Sequence, residues 1–118
     1  AVPRFVNLQV DARVAAVRGV EGGLNSAVAL ARAKYLAANN NAAVTVNMDG
    51  TSVAVNAGTG VPVGTALGIG AAMQSTSGFT VDYTAPAAVT FRPQGGSATC
   101  EAEYNGTTGV VTPDVSSC

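Results

Sequence analysis

A single helical pattern runs through the first third of the chain, and it is longer than the domain that must hold it. Helix-favouring residues occupy about residues 4–37, and three asparagines at 39–41 predict the end of the helix. About 34 helical residues extend roughly 50 Å at 1.5 Å per residue. A compact globule of this chain length is about 35 Å across. The sequence therefore predicts a helix that projects from its own domain, with a bend or local loosening possible at Gly19, Gly22 and Gly23.

Two apolar stripes follow this helix when its residues are placed 100° apart. The first runs along the whole helix and is predicted to form the helix–sheet core. Its central members are Val17, Leu24, Val28 and Tyr35. The second lies roughly opposite and is strong only in the first half, with Leu30 as its one later large member. Its main members are Phe5, Leu8, Ala12 and Ala15. The half with two stripes is the half predicted to project.

The hydrophobic period changes from 3.6 to 2 after residue 42, which predicts strands. In "AVTVNMDGTSVAV", alternating residues flank Asp49-Gly50, one of the strongest short hairpin signals. The Gly-, Ala- and Thr-rich segment 57–78 predicts a surface loop with one helical turn near 67–74. Further strands are predicted at 79–83, 89–92, 98–104 and 108–112, with Asn105-Gly106 as a second hairpin turn.

One long helix followed by antiparallel strands predicts an α+β fold, with the helix packed on an antiparallel sheet. No second domain is indicated, so we expect one domain over residues 1–118. Its parts are a helix at 1–38, a hairpin and connecting loop at 39–78, and a sheet with a disulfide-bounded region at 79–118.

The chain has two cysteines, Cys100 and Cys118, and no histidine. A zinc site would need four ligands, so the pair favours a disulfide, with two free buried thiols as the alternative. A disulfide implies an oxidising compartment, and its closure would stabilise the fold by about 3 kcal/mol. In "ATCEAEY", alternation directs Cys100 towards the apolar side and Glu101 and Glu103 towards solvent.

The charge pattern argues against several classes of function. Only 11% of residues are charged and the net charge is −1, whereas a protein that binds nucleic acid through phosphates is expected to be basic. Without histidine, the usual general base and the commonest metal ligand are missing. We therefore expect no enzyme, no cofactor and no nucleic-acid partner. Asp82 and Asp114 could contribute to a calcium site, although solvated loop carboxylates are the simpler interpretation.

Several segments resemble type IV pilins, most closely the mannose-sensitive haemagglutinin pilin group. "AVPRFVNLQVDAR" at residues 1–13 is similar to the segment that follows the hydrophobic start of these pilins. The hairpin "VTVNMDGTSVAV", the segments Gly60-Val61-Pro62 and Gly68-Ile69, and the late cysteine pair extend the resemblance over most of the chain. One departure is Val61, where the group often has Tyr.

The resemblance implies a structural subunit of a filament on a Gram-negative bacterium. In this family an apolar segment precedes the matched region, spans the inner membrane before assembly and then forms the filament core. We therefore expect such a segment before residue 1. The implied partners are other subunits, the inner-membrane assembly machinery, and a host, glycan or abiotic surface contacted in adhesion, biofilm formation or motility. Phe5, Leu8, Ala12 and Ala15 would then face neighbouring subunits. The alternative is a cover of Phe5 and Leu8 by the 57–78 loop.

Two other functions are also compatible with these residues. A pseudopilin of a type II secretion system shares the helix but usually ends with a bound calcium in place of a terminal disulfide. A minor pilin acting as an adhesin would use the loops at 57–78 and 101–117. Only Tyr83, Phe91 and Tyr104 could supply aromatic stacking there, and each is equally suited to the core.

Overall fold

The computed structural model describes residues 5–118, with side chains from Gln9 onward. Helix α1 (Phe5–Ala38) has 34 residues and continues without interruption through its three glycines. Its end at 39–41 is confirmed: Asn39 has a φ of 52°, a left-handed conformation that asparagine tolerates better than most residues.

The hairpin centred on Asp49-Gly50 is confirmed. Strands β1 (Thr45–Met48) and β2 (Thr51–Ala54) pair antiparallel, with Met48 opposite Thr51. Asp49 and Gly50 both have positive φ, at 54° and 87°, as a tight two-residue hairpin turn requires. The amide of Gly50 donates to Asn47 Oδ1 at 2.8 Å. The hairpin forms a two-stranded sheet of its own, so the helix packs on two antiparallel sheets instead of one.

The larger sheet contains four consecutive strands, paired antiparallel in the order β3-β4-β5-β6. The strands are β3 (Phe79–Asp82), β4 (Val89–Pro93), β5 (Glu101–Tyr104) and β6 (Val111–Asp114). The last two begin three residues later than predicted. Two successive turns delay β5, with Gly96 N bonded to Pro93 O and Cys100 N bonded to Ser97 O.

The hairpin predicted at Asn105-Gly106 is confirmed, since β5 and β6 pair antiparallel, but residues 105–110 form a loop longer than a two-residue turn. Asn105 Oδ1 accepts hydrogen bonds from the amides of Thr107 and Thr108, at 2.8 and 3.2 Å. Gly109 then adopts a φ of 79°, and its amide donates to Asn105 O. The side chain of Asn105 therefore extends the loop and moves the start of β6 to Val111.

The segment 57–78 contains the predicted helical turn, as α2 (Ile69–Ala72), but it is not simply a surface loop. Val61 and Ile69 are buried in the core. Backbone bonds from Ala54 N to Leu67 O and from Val63 N to Ala54 O hold the segment against β2. Its small residues permit this close packing, since a Cβ on Gly64 or Gly68 would collide with neighbouring backbone.

Two apolar clusters hold α1 to the rest of the domain. The first joins the middle of the helix to the four-stranded sheet, and its largest sheet members are Phe91 and Tyr104. The second joins the end of the helix, at Ala31 and Tyr35, to the hairpin at Val46 and Val53. Tyr35 Oη also donates to Asn41 O and accepts from the amide of Gly58, at 2.7 and 2.6 Å. Because α1 contacts each of the two sheets through a separate cluster, it is held to the domain although it is longer than one sheet.

The molecule measures 62 × 25 × 17 Å, and α1, about 51 Å long, accounts for most of its length. Val17 is the first fully buried residue of the helix among the side chains described. Arg13 still bonds to Cys118 O, so the part of the helix that extends beyond the domain is the eight positions before Arg13, about 12 Å of helix. The predicted projection of the helix from its domain is therefore present.

Candidate functional site

The first apolar stripe of α1 faces the sheets. Val17 and Leu24 are completely buried, Tyr35 is 2% exposed and Val28 is 9% exposed. Val10 and Val14, on the same stripe nearer the start of the helix, are half-buried. This side of the helix is therefore used inside the domain and is not available for other contacts.

The second stripe lies on the open side of α1. Ala12 and Ala15 are exposed, and Leu30 is 49% exposed. A Cβ at Gly19, between them, would have no atom within 4 Å. The side chains of Phe5 and Leu8 lie outside the described residues. Segment 57–78 packs against β2 and the core and leaves Ala12 and Ala15 exposed. Its predicted cover of Phe5 and Leu8 concerns side chains outside the described residues.

The Cys100–Cys118 disulfide is present and closes the end of the chain onto the sheet. The two Cα atoms are 4.8 Å apart, and Cys100 is fully buried, as its predicted orientation requires. Arg13 Nε donates a hydrogen bond of 2.7 Å to the backbone oxygen of Cys118. The crosslinked segment is thus attached to α1 as well as to β5, near the point where the helix leaves the core. Nothing in the sequence pattern predicted the role of Arg13.

An open groove of about 570 Å³ follows the second stripe towards the end of α1. One wall is the helix itself, at Gly19, Gly23, Ser26 and Leu30. The other wall brings together Met48, Met73 and Phe79 from three separate segments. The described residues that line this groove are all uncharged. The groove was not predicted, although the 100° spacing places its helix wall on the same face as Ala12 and Ala15.

The outer face of the four-stranded sheet is polar, but Glu101 is not exposed there as predicted. Its side chain is covered by Arg92 on the neighbouring strand, and Glu101 is only 7% exposed. Arg92 donates from Nε and Nη2 to Glu101 Oε1, at 3.1 and 2.7 Å. Strand alternation correctly placed Glu101 on the outer face of the sheet. It does not show that Arg92 on the neighbouring strand covers this side chain. Glu103, two residues on, is exposed.

Asp82 and Asp114 do not form a shared calcium site. They lie on β3 and β6, the two edges of the sheet, so three interstrand spacings of about 4.8 Å keep them at least roughly 14 Å apart. Each carboxylate instead accepts local bonds, Asp82 from the amide of Thr84 and Asp114 from the amide and hydroxyl of Ser116. The side chain and amide of Thr84 lower the pKa of Asp82 below the ordinary value, and the side chain and amide of Ser116 do the same for Asp114. Within residues 9–118, no group of three or more acidic or cysteine side chains could hold a metal ion.

The aromatic residues considered for ligand stacking are mostly in the core. Phe91 and Tyr104 are fully buried, and Tyr104 Oη donates to Pro62 O at 2.6 Å. Burial raises the pKa of Tyr104. Tyr83 is half-buried, and burial raises its pKa as well. Of the three, only Tyr83 has a surface that a ligand can reach.

Neither helix in the described part of the chain carries an apolar stretch that could cross a lipid bilayer. Comparison with known protein families, with curated proteins and with solved structures gives no match.

Proposed function

We propose that the chain is a structural, non-catalytic subunit of a type IV pilus, which polymerises through α1 into an extracellular filament. The observation that carries this proposal is the second stripe of α1, whose described residues Ala12, Ala15 and Leu30 are left uncovered by their own chain. Apolar surface removed from water stabilises an assembly by about 25 cal/mol per Å². A helix that projects beyond its domain with an apolar outer face is suited to such burial by neighbouring copies.

The small residues on this face favour helix-to-helix contact. Alanine and glycine allow two helix backbones to approach closely, and Ala12, Ala15 and Gly19 present no bulky side chain. A contact that joins different parts of two identical copies continues from copy to copy, and it yields a filament when the rotation between copies does not close a ring. The helix is rigidly held for this purpose, by two core clusters and by the Arg13 bond to Cys118.

The pilus assignment is preferred over a pseudopilin of a type II secretion system. The Cys100–Cys118 disulfide secures the end of the domain, where pseudopilins usually have calcium. The wide separation of Asp82 and Asp114 gives no support to a calcium site formed by that pair. An adhesive minor pilin is the weaker alternative, because Phe91 and Tyr104 are unavailable for stacking.

In this proposal the protein resides in the inner membrane of a Gram-negative bacterium before the assembly machinery incorporates it. The finished filament serves adhesion, biofilm formation or motility through contact with a host, glycan or abiotic surface. The low charge of the chain, at 11% of residues, agrees with contacts dominated by apolar burial between subunits.

The test is to place Phe5→Asp and Leu8→Asp separately in the complete gene product, expressed in the bacterium that makes it, and to count filaments by electron microscopy. A charge on the second stripe should abolish filaments, because a carboxylate buried between helices loses its hydration. The matched control is Leu36→Asp on the same helix, where the leucine is 72% exposed, and it should assemble normally. The thermal unfolding of the 118-residue chain should be unchanged in all three variants. Normal filaments in both the Phe5 and the Leu8 variant would refute the proposal.

A further inference from the structure

The groove and the projecting stripe lie on one continuous face of α1. At 100° per residue, positions 5, 8, 12 and 15 share a direction with Gly19, Gly23, Ser26 and Leu30. The first half of this face carries Phe and Leu in the sequence, whereas the second half is open, with glycines beside the groove. The first half of this face therefore carries side chains that could fill an apolar groove, and the second half borders such a groove.

We propose that this groove receives the Phe5–Ala15 segment of a second copy of the chain, as the contact that propagates the filament. The inference rests on the proposed function and adds to it the surface that accepts the second stripe. Recognition of an amphipathic helix in an apolar groove uses anchors about three, four and seven residues apart, and positions 5, 8 and 12 have this spacing.

The lengths of the two partners agree. The helix wall of the groove extends from Gly19 to Leu30, about 16 Å of helix. The segment from Phe5 to Ala15 extends about 15 Å. The segment begins in the part of α1 that extends beyond the domain, and its described stripe residues Ala12 and Ala15 are exposed, so a second copy can present it without unfolding.

The chemistry of the two surfaces also agrees. The groove is neutral in its described lining, and both methionines of the chain, Met48 and Met73, contribute to it. Methionine is flexible and polarizable, so it can adjust to an incoming apolar side chain. The charged Arg13 is turned away from the second stripe and is held by Cys118 O. Asp11, the other charged residue of the segment, is exposed and lies about 80° around the helix from the centre of the stripe, so its carboxylate can stay in water at the edge of the contact.

The arrangement fixes a register that can be measured. Copies in a filament share one orientation, so the two helices run parallel, with Phe5 near Gly19 and Ala15 near Leu30. This offset of about 14 residues corresponds to an axial shift of about 21 Å. Ala12 of one copy then lies beside Ser26 of the next, and each copy offers one donor segment and one groove. Each contact adds an axial shift in the same direction, so the series of copies stays open instead of closing into a ring.

The experiment introduces Ala12→Cys and Ser26→Cys together in the complete gene product and treats assembled filaments with a short thiol crosslinker. Denaturing electrophoresis without reductant should show a ladder of dimers, trimers and higher multimers. The control is Ala12→Cys with Asn25→Cys, since Asn25 is exposed and adjacent to Ser26 but does not line the groove. Dimers alone, or a ladder no stronger than the control, would overturn the inference.

A second pair of variants tests the groove without cysteines. Ser26→Trp places a bulky ring in the groove from an exposed position, and it should reduce filament number by about tenfold or more. Asn25→Trp should have no such effect, and both variants should unfold at the same temperature as the unmodified chain. If Phe5→Asp abolishes filaments but Ser26→Trp does not, the pilus assignment stands and the groove inference fails. If Phe5→Asp and Leu8→Asp both assemble normally, the pilus assignment itself fails.

Discussion

Reduction of the Cys100–Cys118 disulfide should destabilise the chain by about 3 kcal/mol. The crosslink joins residues 18 positions apart, and the lost loop-closure entropy of the unfolded chain has this size. For 118 residues, an unfolding entropy of about 2.1 cal/mol/K per residue totals about 0.25 kcal/mol/K. The melting temperature should therefore fall by about 12 °C. Scanning calorimetry with and without reductant measures the shift, and a Cys100→Ala/Cys118→Ala variant should reproduce the reduced value.

The same measurement tests whether the crosslinked segment is attached to α1 through Arg13. In the oxidised chain, Arg13→Gln removes the 2.7 Å bond to Cys118 O and should cost about 1 kcal/mol, or roughly 4 °C. In the reduced chain the segment is released from β5, so the substitution should cost much less. Comparing the effect of Arg13→Gln in the oxidised and in the reduced chain measures the coupling between the Arg13 hydrogen bond and the disulfide. A reduction shift below about 4 °C would refute the loop-entropy argument. An equal effect of Arg13→Gln in both redox states would refute the attachment.

Two further predictions concern the titratable groups. Tyr104→Phe leaves Pro62 O without its buried donor and should lower stability by about 1–2 kcal/mol in urea unfolding. Because burial raises the pKa of Tyr104 in the folded chain above its unfolded value, stability should fall as pH rises beyond about 10, and the Phe variant should show less of this loss. The folded-state pKa values of Asp82 and Asp114 are lowered, so their contribution is present above about pH 4 and is lost as pH falls further. Between pH 6 and pH 2 the melting temperature should fall less for Asp82→Ala/Asp114→Ala than for the unmodified chain. An equal fall in both chains would contradict the hydrogen bonds assigned to these two carboxylates.

The helix and the first hairpin were predictable because their signals are local. The asparagines at 39–41 end α1, and Asp49-Gly50 adopts the positive φ values that the hairpin turn needs. The later strands were predicted less well because side-chain bonds modify their turns, as Asn105 does before β6. The burial of Glu101 was missed because it depends on Arg92 in a neighbouring strand, and a single strand pattern does not contain that pairing.

For the candidate site, the sequence predicted the open stripe but not the groove beside it. The two stripes of α1 follow from helical spacing, and Ala12 and Ala15 are exposed on the second one. The far wall of the groove is built from Met48, Met73 and Phe79, which only tertiary packing brings together. Long-range placement of this kind has no periodic signal in the sequence. The disulfide was predictable because two cysteines in a chain without histidine leave few other roles.

The most direct test of the assembly surface is the reactivity of a cysteine placed on it. Ala15→Cys should react rapidly with a maleimide in the isolated chain, because Ala15 is exposed there, and slowly in assembled filaments. A cysteine at Thr107, in the exposed loop before β6, should react at the same rate in both states. Protection of position 15 on assembly, with position 107 unchanged, is the predicted result. Equal labelling of position 15 in isolated chains and in filaments would show that the second stripe of α1 does not hold the copies together.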